Sequence, residues 1–151
     1  MFLVKVSVTF SAAHRLCQPG LSDEENFALY GKCSNPSGHG HNYDLEVAVL
    51  GEVDPATGMV ANFYDIQRII DREVFDKVDH KNLNVDVDFL QGIVPTAENM
   101  ARRFWEVLEP HLNGCRLFSV TVGERNGNVA TYLGPRPVAP ELLLAAAATR
   151  L

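Results

Sequence analysis

The apolar residues of this chain repeat with two different periods, and the changeover limits the folds open to it. From Phe2 to Phe10 they alternate, with Phe2, Val4, Val6, Val8 and Phe10 on one parity and Lys5, Ser7 and Thr9 on the other. That is the pattern of a strand with one buried face. Asn42 to Leu50 alternates in the same way, Tyr43, Leu45, Val47 and Val49 against Asp44 and Glu46. From Phe63 the spacing becomes three and four, through Phe63, Ile66, Ile69, Ile70, Val74 and Val78, the stripe of an amphipathic helix. Pro95-Thr96 opens a second helix with Thr96 as N-cap, Glu98 in the first turn, and Met100, Phe104, Trp105 and Leu108 as the stripe. Pro110 and Gly114 end it. Alternation returns at Arg116 to Gly123 through Phe118, Val120 and Val122, and Asn126-Gly127 signals a hairpin into Val129 to Leu133. Asp54-Pro55-Ala56-Thr57-Gly58 is a turn, which places strands 42–51 and 58–62 in a hairpin. Gln18 to Asn26 and Gly31 to Gly40 read as loops. Hairpins flanking consecutive helices specify an α+β fold with an antiparallel sheet, not a doubly wound α/β fold.

At 151 residues the chain fits one domain with a core of its own. Residues 1–134 form that domain, and the Pro/Ala-rich tail, 135–151, is expected to be a short helix or disordered. The formal net charge of -6 argues against a nucleic-acid or anionic-membrane partner. It leaves an anionic small molecule open, because only local charge counts in a pocket. No apolar run reaches a membrane span and no leader pattern opens the chain, so a cytoplasmic protein is expected. Cys17, Cys33 and Cys115 are odd in number and lack CxxC spacing, which fits a reducing compartment without disulfides.

His39-Gly40-His41 is the sharpest chemical feature. In an extended segment residues i and i+2 face one side, here the side of Tyr43, Leu45, Val47 and Val49. Imidazoles on an apolar wall are costly unless coordinated or hydrogen-bonded. A catalytic zinc site takes three protein ligands plus water, and His14, just past a strand end, is the best local third ligand. A hydrogen-bonded surface pair remains the alternative. Gly40 removes bulk between the two histidines. Cys33, in the loop before them, is a base or nucleophile if a cation lies near, and otherwise an ordinary loop thiol. Asp79-His80 after a helix is a relay only if a turn brings the two side chains together. Glu124 ends the apolar parity of its strand, where a carboxylate either emerges to solvent or meets a hydrogen-bond donor.

The chain resembles the 6-pyruvoyl-tetrahydropterin synthase family, which includes the 6-carboxy-tetrahydropterin synthases of queuosine biosynthesis. The resemblance rests on Phe10-Ser-Ala-Ala-His14-Arg15-Leu16, Gly31-Lys-Cys33-Ser-Asn-Pro-Ser-Gly-His39-Gly-His41-Asn-Tyr, Gly51-Glu-Val-Asp-Pro-Ala-Thr-Gly58, Asp79-His80-Lys-Asn-Leu, Pro95-Thr96-Ala-Glu98-Asn99 and Glu124. These segments are collinear over about residues 2–134. The resemblance implies that His14, His39 and His41 bind Zn²⁺, that Cys33, Asp79 and His80 are catalytic, and that Glu124, with Thr96 and Glu98 beside it, binds the pterin. It implies the tunnelling fold, or T-fold: a four-stranded antiparallel sheet with two helices on one face. Three such sheets would close a twelve-stranded barrel, and two trimers a hexamer with active sites between subunits.

The activity implied is conversion of 7,8-dihydroneopterin triphosphate to 6-pyruvoyl-tetrahydropterin with elimination of triphosphate, a carbon–oxygen lyase step on the way to tetrahydrobiopterin. The segment Cys33-x5-His39 and the run Leu21 to Asn26 resemble the animal-type pyruvoyl synthases. The 6-carboxy-tetrahydropterin synthase activity is the alternative product, and a non-catalytic zinc- or pterin-binding module the alternative of another class.

Overall fold

The computed structural model describes residues 1–124, 127–135 and 139. The elements in chain order are β1 (Phe2–His14), α1 (Asp23–Tyr30), β2 (His39–Gly51), α2 (Phe63–Ile70), α3 (Asp76–Val78), β3 (Lys81–Asn82), α4 (Ala97–Leu108), β4 (Arg116–Glu124) and β5 (Asn128–Tyr132). A π-helical stretch, Asp71–Phe75, joins α2 to α3. Short 3-10 turns lie at Gly31–Ser34, Asp88–Leu90 and Glu109–His111.

The sheet order is β3-β1-β2-β4-β5. Strands β1 and β2 pair antiparallel in unbroken register from Phe2↔Gly51 to His14↔His39. The pairs β2–β4 and β4–β5 are also antiparallel. The four long strands are thus the expected antiparallel sheet, and both helical segments cover one face of it in a T-fold-like arrangement. The fifth strand is an addition: β3 lies parallel to β1 at Ala12↔Lys81 and Ala13↔Asn82. Two residues carry no periodicity, so nothing in the sequence announces this strand.

The core lies between the sheet and the helices. Phe10, Tyr43, Leu45, Val47, Val49, Val120 and Val122 meet Ile66, Ile70, Val74, Val78, Met100, Phe104 and Leu108 there, all of them buried. Each such side chain contributes about 1.5–3 kcal/mol when fully buried, so the two stripes read from the sequence carry much of the stability. Asn62 caps α2 by accepting from the Tyr64 N–H at 2.9 Å, and Thr96 caps α4 by accepting from the Asn99 N–H at 3.3 Å.

Four expectations change. Residues 58–62 form no strand; a single bridge, Asp54↔Met59, closes the turn instead. Phe63 is 60% exposed and stands outside the helical stripe, because it is the first residue of α2 and precedes the buried face. A bulge leaves Phe118 unpaired between Val49↔Leu117 and Ala48↔Ser119. One extra residue reverses the parity, so Leu117 faces the main core while Phe118 packs with Ala48 and Leu50 on the other face. Finally, Asp23 to Asn26, read as part of a loop, open α1, which runs on to Tyr30. Its capping box is complete: Ser22 Oγ accepts from the Glu25 N–H and the Glu25 carboxylate accepts from the Ser22 N–H. The helix buries only Asn26, so no apolar stripe betrays it.

Gly127 has φ +89, the left-handed value a tight β4–β5 connection requires, while Asn126 lies outside the described residues. The expectation of a helix or disorder in the tail beyond Pro135 also lies outside them, apart from Ala139. Among the described residues no helix is long and apolar enough to cross a membrane.

Candidate metal centre and active site

The end of the β1–β2 pair gathers the histidines. His14 pairs with His39 and Ala12 with His41 in the register, and all of these belong to the parity that faces the helices. The small side chain of Ala12 leaves room for the ring of His41. Ring centroids stand 4.6 Å apart for His14–His39, 5.1 Å for His14–His41 and 4.7 Å for His39–His41. One ring nitrogen from each lies within 4.8 Å of the others. Cys17, Cys33 and Cys115 do not join this group.

His14 is 1% exposed, and its Nδ1 lies 3.0 Å from the carbonyl oxygen of Pro95. A carbonyl only accepts, so Nδ1 carries the hydrogen and Nε2 presents its lone pair. That Nε2 is 3.1 Å from Nε2 of His39. A proton is a poor bridge between them. Burial holds His14 below the ordinary histidine range against the opposing bond to Pro95, with the neighbouring imidazoles adding to the shift. Burial and His41 hold His39 down as well. Nδ1 of His39 and Nε2 of His41 are buried without a hydrogen-bond partner among the described residues. Three converging ring nitrogens, two of them on imidazoles that burial keeps from protonating, and the locked tautomer of His14 fit a metal ion that takes nitrogen ligands at about 2.0–2.1 Å. The cluster can hold such an ion with His14, His39 and His41 as its protein ligands.

Glu124, at the last position of β4, places Oε1 3.7 Å from Nε2 of His41 and 4.0 Å from Nε2 of His14. It therefore meets the site rather than solvent. Tyr43 faces it directly across β2–β4. The Tyr43 ring makes edge contacts with His14 and His41, at 5.8 and 5.6 Å between centroids. Burial, with the charges of Glu124 and Cys33 added, pushes the phenol far above its ordinary range.

Asp79 and His80 do come together. Nδ1 of His80 donates to one carboxylate oxygen at 2.7 Å, and the other oxygen accepts from the Ser11 N–H at 2.9 Å. The Ser11 bond first, then His80, keeps Asp79 below the usual carboxylate range. The turn this requires is supplied by His80 itself, which adopts φ +57 and donates its own N–H to the Ser11 carbonyl at 2.6 Å. Its side chain is 82% exposed. It borders an open groove of about 610 Å³ shared with Ser11, Gly40, Asn42, Lys81 and Asn82.

Cys33 is half-buried in the 3-10 turn, stitched to the residues that follow His14. The Leu16 N–H donates to the Cys33 carbonyl at 2.8 Å, and Arg15 Nε donates to the Ser34 carbonyl at 2.7 Å. The Arg15 guanidinium also donates to Asp23 at 2.6 Å. Among the described residues the Cys33 sulfur makes no hydrogen bond, so one chain does not join it to His80. Thr96 stands next to Pro95, the acceptor for His14. Glu98 is exposed in the first turn of α4 and is not brought to the imidazoles.

Gly40 does not clear space between the histidines as expected: a Cβ there would meet the Ala12 carbonyl oxygen at 3.5 Å, an ordinary contact. Gly38 is the constrained glycine, with φ +70 and a Cβ position 3.1 Å from the His14 carbonyl oxygen. Pro95, Arg15 and Gly38 have no chemical signature in the sequence, because they act through the main chain or through a tertiary contact. Tyr43 was legible only as a core residue.

The profile of the 6-pyruvoyl tetrahydropterin synthase family matches residues 3–135. Over 127 residues the chain is 46% identical to the 6-pyruvoyl tetrahydrobiopterin synthase of Homo sapiens, spanning 84% of this chain and 88% of that one. Against the Poecilia reticulata protein of the same name the identity is 44% over 126 residues, 83% and 86% of the two chains. The solved structure of Caenorhabditis elegans 6-pyruvoyl tetrahydropterin synthase superposes with a TM-score of 0.83 at 42% identity, covering 88% of this chain and 95% of that one.

Proposed function

Because the chain belongs to the 6-pyruvoyl tetrahydropterin synthase family, we propose that it is a zinc-dependent lyase acting on 7,8-dihydroneopterin triphosphate. The product is 6-pyruvoyl-tetrahydropterin, formed with elimination of triphosphate. The observation that carries this reading is the three-imidazole cluster, its buried member locked to Pro95, with the Glu124 carboxylate at its mouth.

Zinc bound by His14, His39 and His41 would supply a Lewis acid for the hydroxyls of the substrate side chain. The remaining work falls to this chain. Glu124 accepts hydrogen bonds from the N–H and amino groups of the pterin ring and so fixes the distance between the reacting carbons and the imidazoles. Cys33 takes a proton from the side chain. His80, with Nδ1–H committed to Asp79, presents Nε2 for proton exchange at the other face or its hydroxyl. Thr96 and Glu98 stand beside the pterin at a subunit boundary. Triphosphate departs as a leaving group, and hydrogen transferred within the substrate reduces the ring, so no nicotinamide is needed.

Two observations support a site shared between subunits in a trimeric barrel doubled to a hexamer. Among the described residues the outer edge of β1 is covered by β3 only at Ala12 and Ala13, and the sheet ends at β5 on the other side; open edges invite pairing. The imidazole of His80 is 82% exposed, as suits a relay that serves a neighbouring copy.

Product mass after incubating zinc-loaded protein with 7,8-dihydroneopterin triphosphate tests the reading. The pyruvoyl product supports it, the 6-carboxy product moves the chain to the other branch of the family, and unreacted substrate overturns the enzyme. Light scattering should give about six times the 16.7 kDa chain mass; a stable monomer contradicts the shared site.

A further inference from the structure

Tyr43 is the one residue of the site whose polar atom has no use in the mechanism above. It is 0% exposed, and among the described residues its hydroxyl has no hydrogen-bond partner. An unmatched buried hydroxyl is destabilising, whereas phenylalanine would fill the same volume without that penalty. The ring has no freedom to carry the hydroxyl elsewhere. It stacks on Phe10 at 5.0 Å with planes 17° apart, and its edges are held by His14 and His41.

Glu124 flanks the same two imidazoles from the neighbouring strand. Tyr43 and Glu124 are direct cross-strand partners, and such pairs have Cβ atoms about 4.5–5.5 Å apart. The carboxylate now rests 3.7 and 4.0 Å from Nε2 of His41 and His14. Once a metal ion takes those lone pairs, neither Nε2 has a hydrogen to offer Glu124. The carboxylate, 24% exposed, is then open to a donor that does not compete with the pterin. The phenol of its cross-strand partner Tyr43 is an unspent donor on the same wall.

We propose that the Tyr43 hydroxyl donates to one oxygen of Glu124 in the metal-loaded site and so aims the other oxygen at the pterin ring. This makes Tyr43 a positioning residue for substrate binding, and it rests on the function proposed above. Phenols ordinarily titrate near 10, so Tyr43 remains a donor at working pH.

The test is Tyr43→Phe, alone and in a Glu124→Gln background, with binding measured by quenching of neopterin fluorescence and zinc content measured beside it. Neopterin carries the same ring edge and does not react. Tyr43→Phe should retain full zinc and weaken neopterin binding by about tenfold or more, the scale of a hydrogen bond to a charged group. KM for the triphosphate should rise in parallel, with kcat far less affected. In the Glu124→Gln background the same change should alter affinity less than about twofold, because the acceptor charge is gone.

Wild-type affinity in Tyr43→Phe, with only the unfolding midpoint moved, would mean a structural hydroxyl satisfied by internal water and overturns the proposal. Equal losses in both backgrounds would mean that Tyr43 touches the ligand independently of Glu124, and also overturn it. Should Tyr43→Phe fail to fold, 3-fluorotyrosine in place of tyrosine makes the same hydroxyl a stronger donor and should tighten neopterin binding; unchanged affinity then overturns the idea. Wild-type protein that neither binds neopterin nor turns over the triphosphate refutes the function itself. Wild-type binding with an unaffected Tyr43→Phe refutes this inference alone.

Discussion

Replacing Asp79 by asparagine keeps the shape of the side chain and removes the acceptor that faces His80. In the structure one carboxylate oxygen holds the Ser11 N–H at 2.9 Å and the other holds Nδ1 of His80 at 2.7 Å. The asparagine carbonyl can keep the Ser11 bond, which leaves the NH₂ group against the imidazole. Nδ1 must then accept, its hydrogen moves to Nε2, and the nitrogen proposed to exchange protons loses its lone pair. A general acid–base group contributes about 10²–10⁴-fold, so kcat of Asp79→Asn should fall by that order, about 3–5 kcal/mol of barrier. Stability should barely move, because the His80 side chain is 82% exposed and a polar pair that open to water contributes at most about 1 kcal/mol. Asp79→Ala differs: it also strips the acceptor from the Ser11 N–H and should cost a further 1–3 kcal/mol, approximately, of folding free energy. Triphosphate release at saturating substrate, with zinc content and urea midpoints measured on the same samples, separates the two effects. Wild-type kcat in metal-replete Asp79→Asn would refute the tautomer argument, as would a loss of activity that merely tracks the loss of zinc.

Cys33→Ala should keep zinc content and KM while single-turnover rates fall about 10²–10⁴-fold; full rates in the metal-replete variant would move proton abstraction to His80. His39→Ala should lower metal affinity, with activity following metal occupancy in a titration, and activity without restored metal would contradict its role as a ligand. Glu124→Ala should chiefly raise KM, read together with neopterin affinity, since it deletes an acceptor facing several ring donors. Acid should destabilise the metal-free protein in a defined window. Burial keeps His14 below the ordinary 6.5, so the unfolded chain binds the proton first and stability falls as pH drops below about 6.5, by up to about 1.4 kcal/mol per pH unit. Glu73, held at about 2 by Arg72 and Lys77 instead of 4.5, loses its contribution only at lower pH, so the two windows separate. A urea midpoint flat between pH 7 and 5.5 would refute the buried neutral His14.

The fold was legible where burial is one-sided. Alternation along β1 and β2 and the stripe through Ile66, Ile70, Val74 and Val78 exist because each element buries one face. The same rule explains the failures. α1 buries only Asn26, whose amide bonds to the carbonyls of Leu21 and Ser22, so its face carries no apolar period; its sole local signal was Ser22 three residues before Glu25. Phe118 alternates correctly with Val120 in the sequence and faces the wrong side in space, because a bulge is a property of the pairing with Val49 and Ala48 and not of one strand.

The imidazole site was half legible for the same reason. His39 and His41 share a face by strand geometry alone, and that face is named by Tyr43 and Leu45 beyond them. His14 stands 25 residues from His39, and no local rule spans that distance. What joins them is the register of the apolar alternation. The pairing that sets Phe10 against Tyr43 also sets His14 against His39, and a slip of one residue would turn His14 to the far side of the sheet while exposing Phe10. The register is therefore fixed by core residues, and the histidines occupy the positions where the same buried parity runs past the end of the hydrophobic core. Substitutions that weaken Phe10 or Tyr43 packing act on the imidazole cluster through that register, whereas the Asp79–His80 pair, built on the single turn at φ +57 and on Ser11, depends only on the edge of β1.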